Sequence, residues 1–90
     1  MSAERHFVLP VTCDVRAASE LQGRLWAELE SGDALWVDGG AVTTCDTAAA
    51  QLFVALSREA RVRWTLSAPL RAKLDQLALP VQLFKEGSPS

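Results

Sequence analysis

The densest set of reactive side chains in this 90-residue chain is the segment Asp38-Gly-Gly-Ala-Val-Thr-Thr-Cys-Asp-Thr47, which holds three hydroxyls, one thiol and two carboxylates. Nucleophilic attack by Thr47 or Cys45 requires an activating base. The single histidine, His6, lies instead in an apolar run near the start of the chain, where a structural role is expected. A cation shared by Asp38 and Asp46 lacks a lysine or third acid nearby to complete the site. Gly39-Gly40 is not followed by Gly-Lys-Ser/Thr and fits no GxGxxG pattern, so it reads as a paired-glycine turn. What remains is the chemistry of a helix start. Asp46 or Thr44 serves as an N-cap, accepting from the orphan amides of the first turn at about 1 kcal/mol. Thr47 is placed for phosphorylation, because a phosphate there meets free amides and the positive end of the helix dipole. The expectation is a binding and modification site with no catalytic residue, no metal ligand and no cofactor.

The two cysteines, Cys13 and Cys45, are 32 positions apart with no CxxC, and with His6 they match no familiar zinc spacing. Buried free thiols are expected. A net charge of −2 and a pI near 5.2 argue against sequence-independent attraction to nucleic acid or anionic lipid. The basic residues at Arg58, Arg61, Arg63, Arg71 and Lys73 are interrupted by Glu59 and Asp75 and read as a solvated face. No apolar run approaches the ~20 residues that span a bilayer, and the opening residues lack the pattern of a secretory leader. A cytoplasmic protein that inserts in no membrane is expected.

The elements that must position the segment follow from periodicity. With 49% hydrophobic and 22% charged residues, the chain carries one core and no second domain. His6 to Val11 is a β-prone run that Pro10 confines to an edge or ends. From Ala17 to Glu30, Ala18, Leu21, Leu25 and Leu29 fall at helical spacing, with a cap near Asp14 and a stop at Ser31-Gly32-Asp33. Ala34 to Asp38 is a short buried strand. Thr47 to Ala60 is a helix with Ala49, Leu52, Phe53, Leu56 and Ala60 inward. Val62, Trp64 and Leu66 alternate with Arg61, Arg63 and Thr65 as a half-buried strand. A third helix starts at Ser67-Ala68-Pro69 and ends at Pro80, and Val81 to Phe84 makes a fourth strand. The order β-α-β-α-β-α-β predicts an α/β fold: one four-stranded, mostly parallel sheet with three or four helices, ordered from 6 to 85 between disordered ends at 1–5 and 86–90.

In open parallel sheets, functional loops lie at the carboxyl ends of strands, which again selects the segment from Asp38 to Thr47. Leu35-Trp-Val-Asp38, a short turn, and Val42-Thr-Thr-Cys-Asp46-Thr47-Ala48-Ala-Ala-Gln-Leu52-Phe-Val-Ala-Leu56 resemble the centre of the STAS domain. That family has a strand ending in Asp, then a hydrophobic-x-x-x-Asp-Ser/Thr-Ala-Gly-Leu stretch opening a helix. The likeness extends from Phe7-Val-Leu-Pro to Leu77-Ala-Leu79 and covers nearly the whole chain. Ala49 stands where the family has Gly, and Ala50 where it has Leu.

The resemblance implies an anti-sigma-factor antagonist whose helix docks on a serine kinase (anti-sigma factor), with Thr47 at the phosphorylated Ser/Thr. The alternative it implies is an unphosphorylated STAS subunit of a lipid-type ABC transporter, binding its ATPase, or of a chemotaxis complex. The expected partner surface comprises Asp46, Thr47, Ala48, Ala50, Gln51, Val54 and Arg58. Within it, Thr47, Gln51, Val54 and Arg58 form an exposed stripe beside the inward one, with Val54 as its apolar contact. The edge strand near Pro10 also offers pairing between two copies of the chain as a homodimer.

Overall fold

The computed structural model describes residues 4–79, 82 and 84–86. Its elements in chain order are β1 (Glu4–Val8), β2 (Thr12–Cys13), α1 (Val15–Glu30), β3 (Ala34–Gly39), β4 (Thr44–Cys45), α2 (Thr47–Ser57), β5 (Val62–Leu66) and α3 (Ala68–Gln76). Every strand pairing is parallel, and among the described residues the sheet is divided in two. A three-stranded sheet runs β1-β3-β5, and a two-stranded ladder joins β2 to β4.

The expected single sheet is thus divided among the described residues, and Pro10 supplies the physical reason for the division. The Leu9 N–H donates to the Asp38 carbonyl at 2.8 Å, after which Pro10 has no N–H to continue the ladder. The partner chain breaks at the same level, in the turn after Gly39, where the Val42 N–H donates to the Gly39 carbonyl at 3.1 Å. Pairing then resumes as β2 beside β4. Thr12 faces Thr44 where Val8 had faced Asp38, so the stretch between Asp38 and Thr44 holds two more residues than that between Val8 and Thr12.

The first strand begins at Glu4 and ends at Val8 rather than running from His6 to Val11, so Glu4 and Arg5 belong to the ordered domain. The predicted fourth strand at Val81 to Phe84 falls partly on residues outside those described. The chain meets β5 slightly later, where the Trp64 N–H donates to the Lys85 carbonyl at 2.8 Å and Trp64 bridges Glu86 in parallel. Glu86, assigned from sequence to a disordered end, also pairs with Arg71. The rest of the predicted disordered ends, residues 1–3 and 87–90, lies outside the described residues.

Strand alternation places Phe7, Leu35, Val37, Val62 and Trp64 on one face of the sheet. All three helices pack there. Arg5 reaches Glu28 of α1 at 3.0 Å, the Phe53 ring of α2 meets Trp64 edge-on at 5.7 Å, and a Cβ at Gly39 would lie 2.9 Å from Leu70 of α3. The result is a two-layer domain with one continuous core. The opposite face carries His6 stacked on Trp36 at 4.1 Å, and the Trp36 Nε1–H donates to Thr65 Oγ1 at 2.8 Å. The strand Ala34–Gly39 is therefore buried on one side only, with Ala34, Trp36 and Asp38 partly exposed. His6 stands on this outer face, with Asp38 Oδ2 3.7 Å from its Nε2.

Each helix opens on a side-chain cap. Asp14 Oδ1 accepts from the Ala17 amide at 2.9 Å, Asp46 Oδ1 from the Ala49 amide at 3.0 Å, and Ser67 Oγ from the Leu70 amide at 3.1 Å. Helix α1 buries Ala18, Leu21, Leu25 and Leu29 as their spacing predicts, and Gly32 ends it with a left-handed φ of 83°. Helix α2 stops at Ser57, short of the predicted Ala60, because two successive turns, Glu59 N–H to Leu56 O and Val62 N–H to Glu59 O, swing the chain into β5. Ala60 is left exposed rather than in the core. Helix α3 ends at Gln76. Ala78 adopts φ 56° and the Leu79 N–H donates back to the Leu74 carbonyl, terminating the helix before Pro80, which is outside the described residues.

Candidate functional site

The chain leaves β3 at Asp38, whose Oδ1 accepts from the Gly40 amide at 2.9 Å and so fixes the turn. Val42 then folds back into the core, 1% exposed, and its carbonyl accepts from Ser67 Oγ at 2.6 Å. This hydroxyl, the cap of α3, therefore also pins the site loop to the neighbouring helix start. Beyond Val42, the Thr43 and Thr44 amides both donate to the Val11 carbonyl, and the Asp46 amide donates to the Cys13 carbonyl at 3.0 Å. The loop approaching α2 thus lies alongside the loop approaching α1. Both end in an aspartate cap, so the two helix amino ends open side by side from β2 and β4.

At this end Thr47 is exposed as the first residue of α2, with Asp46 half-buried as its cap. Thr43, Thr44, Ala48, Gln51, Ala55 and Arg58 are also exposed. Two of the expected partner contacts do not belong to this surface. Ala50 is completely buried and Val54 is 9% exposed, both within the core cluster. Because α1 and the sheet flank α2 on two sides, its inward arc is wide and takes in Ala49, Ala50, Phe53, Val54, Leu56 and Ser57. Leu52, expected inward, is only partly buried. The exposed row is Thr47, Gln51, Ala55 and Arg58, with Ala55 in place of Val54.

The exposed apolar contacts at this end of the domain come instead from the other chain segment. Val11 is 53% exposed and Val15 is 63% exposed, immediately before and after the β2–Asp14 stretch that runs beside β4–Asp46. Neither was singled out from the sequence. The available signal was the tripeptide Thr-Cys-Asp, which occurs at 12–14 and again at 44–46 and marks two equivalent helix starts.

The thiols of Cys13 and Cys45 are free and buried. Each donates weakly to a nearby carbonyl at 3.5 Å, Cys13 to Pro10 and Cys45 to Asp46. Burial pushes the Cys13 thiol up to about 11, and the neighbouring Cys45, Asp14 and Asp46 add to the shift. Burial also pushes Cys45 up to about 11, with Asp46 adding and Lys73 opposing. Both are therefore protonated at neutral pH, a poor starting point for nucleophilic chemistry.

A groove of about 430 Å³ lies between β1 and α1, floored by Phe7, Leu9 and Leu21, but none of the residues lining it belongs to the site loop or α2. Among the described residues, no helix is long and apolar enough to cross a membrane. The fold and the exposed helix amino end define the class as a small parallel α/β domain. Comparison of the chain with family models, curated proteins and solved structures returned no match.

Proposed function

We propose that this chain is a regulatory protein-binding domain of the STAS kind that docks a protein partner through the loop and helix opening at Asp46-Thr47, and that phosphorylation of Thr47 controls the contact. The observation that carries this reading is the combination of an exposed Thr47 at the first position of α2 with a helix otherwise anchored by six buried residues. The hydroxyl is free for a kinase to reach, while the backbone that presents it is held by the Asp46 cap and the core. A phosphate on Thr47 adds roughly −1.5 to −2 charge beside Asp46. It gains from the helix dipole but repels an acidic or apolar partner surface.

The sequence resemblance points to a serine kinase of the anti-sigma class as that partner. The test is incubation of the full chain with such a kinase and ATP, read by intact mass and peptide mapping. One added phosphate on Thr47, lost in Thr47→Ala, supports the reading. An unmodified chain, under conditions where a control antagonist is phosphorylated, rejects it.

A second reading is favoured by Val11 and Val15. Two exposed valines flanking the neighbouring helix start suit a permanent, more apolar interface, as in a constitutive subunit bound to a transporter ATPase. That reading expects copurification with an ATPase that survives Thr47→Ala and is weakened by Val15→Asp.

A further inference from the structure

The register of β2 with β4 sets Cys13 directly against Cys45. Adjacent strands lie about 4.8 Å apart, inside the 4.4–6.8 Å window of Cα separations across which a disulfide closes. Thr12 and Thr44, the other residues of the ladder, are exposed, so both cysteines point to the same inward side. In a parallel pair the two Cα–Cβ bonds are aligned, leaving the Cβ atoms about as far apart as the Cα atoms. Closing the bond therefore requires an approach of roughly 1 Å to reach the usual Cβ separation of about 4 Å. The ladder is only two residues long on each side, between the Pro10 break and the helix caps, and is a separate sheet from β1-β3-β5, so the approach falls on a short element.

The surroundings favour this product over a metal. Among the described residues no group of three or more His, Cys, Asp or Glu is placed to hold an ion. Two thiolates in the core would leave buried negative charge, whereas a disulfide is neutral. We propose that Cys13 and Cys45 form a reversible intramolecular disulfide that clamps the starts of α1 and α2 to each other.

The oxidant is a low-molecular-weight disulfide. Cys45, which keeps 8% exposure where Cys13 has none, reacts first. Its thiolate attacks one sulfur of the oxidant, giving a mixed disulfide and releasing one small thiolate. The Cys13 thiolate then attacks Cys45 Sγ, forming the Cys13–Cys45 bond and expelling the second small thiolate. The two protons from the cysteines end on the two released thiols, and the two electrons reduce the oxidant. Because the thiols are held up to about 11, closure is slow at neutral pH and quickens about tenfold per pH unit over the range below that value. This chemistry does not depend on Thr47 being a switch, although it acts on the same loop, since the Asp46 amide is bonded to the Cys13 carbonyl.

The test equilibrates the full chain with mixtures of oxidised and reduced glutathione, once folded and once unfolded in guanidinium, and reads intact mass and tryptic peptides. The expected result is loss of two hydrogens with the Cys13 and Cys45 peptides joined. The folded chain should close at a ratio of oxidised to reduced glutathione at least about tenfold lower than the unfolded chain, because a bond that the fold favours is favoured by the fold in return. The oxidised chain should keep its cooperative unfolding. Mixed disulfides or chain-to-chain links with Cys13 and Cys45 left unjoined would overturn the proposal, as would equal midpoints for folded and unfolded chain or loss of cooperative unfolding on oxidation.

Discussion

Replacing Asp46 with alanine removes one hydrogen bond, that from the Ala49 amide to Asp46 Oδ1 at 3.0 Å, and leaves the amide without a partner at a half-buried helix start. Loss of an N-cap costs about 0.5–2 kcal/mol. The Asp46 side chain is only partly buried, so water reaches the freed amide and a value of about 1 kcal/mol is expected. For a domain of this size that lowers Tm by about 4–8 °C. Asp46→Asn keeps the accepting oxygen and forfeits only the favourable charge at the helix dipole, about 0.3 kcal/mol once salt screens it, so it should retain half or more of the stability that Asp46→Ala loses. Asp14→Ala is the matched control, because Asp14 caps α1 with the same geometry at 2.9 Å. Urea unfolding followed by far-ultraviolet circular dichroism gives all three values. An Asp46→Ala variant indistinguishable from wild type, or an Asp46→Asn variant as damaged as the alanine, would show that Asp46 is not acting as the cap. Its polarity would then need another explanation, such as direct contact with a partner.

Val54→Ala is expected to lower stability by roughly 1–2 kcal/mol by opening a small cavity in the core, with partner binding unchanged in the remaining folded protein; Ala55→Glu should do the reverse, which calorimetry together with a binding assay would reveal. Gly39→Ala should cost about 1–3 kcal/mol, since its Cβ would lie 3.0 Å from the Thr65 carbonyl oxygen as well as against Leu70, and denaturant titration measures the loss. The two thiols are raised from 9.0 to about 11, so the stability they contribute is complete below pH 9 and disappears as pH climbs through 11. The double variant Cys13→Ala with Cys45→Ala should flatten that part of an alkaline unfolding profile. Closing the proposed disulfide removes the same titration and, by constraining a loop of 32 positions in the unfolded chain, adds up to about 4 kcal/mol before any strain is subtracted; comparing oxidised and reduced chain in urea reads this directly.

The amino-acid sequence determined most of the local structure, because local structure rests on interactions between residues close together in the chain. Asp14, Asp46 and Ser67 open helices through side-chain bonds to amides three residues ahead. Gly32 ends α1 by tolerating a positive φ, and the alternation from Arg61 to Leu66 marks one buried face. The exposed start of α2 at Thr47 was legible for the same reason. What required tertiary structure was every property that depends on how many sides of an element are covered. Helical spacing alone set Val54 on an exposed stripe, but α2 is flanked by both α1 and the sheet, so its buried arc widens to enclose Val54 and Ala50. Pro10 was read as a limit on one strand. Only the pairing of the two segments showed that its missing N–H, matched by the turn after Gly39, divides the sheet and leaves a second ladder beyond. Two cysteines 32 positions apart carried no message in spacing. Their meeting in register is a long-range consequence of two strands travelling in parallel, which the fold alone decides.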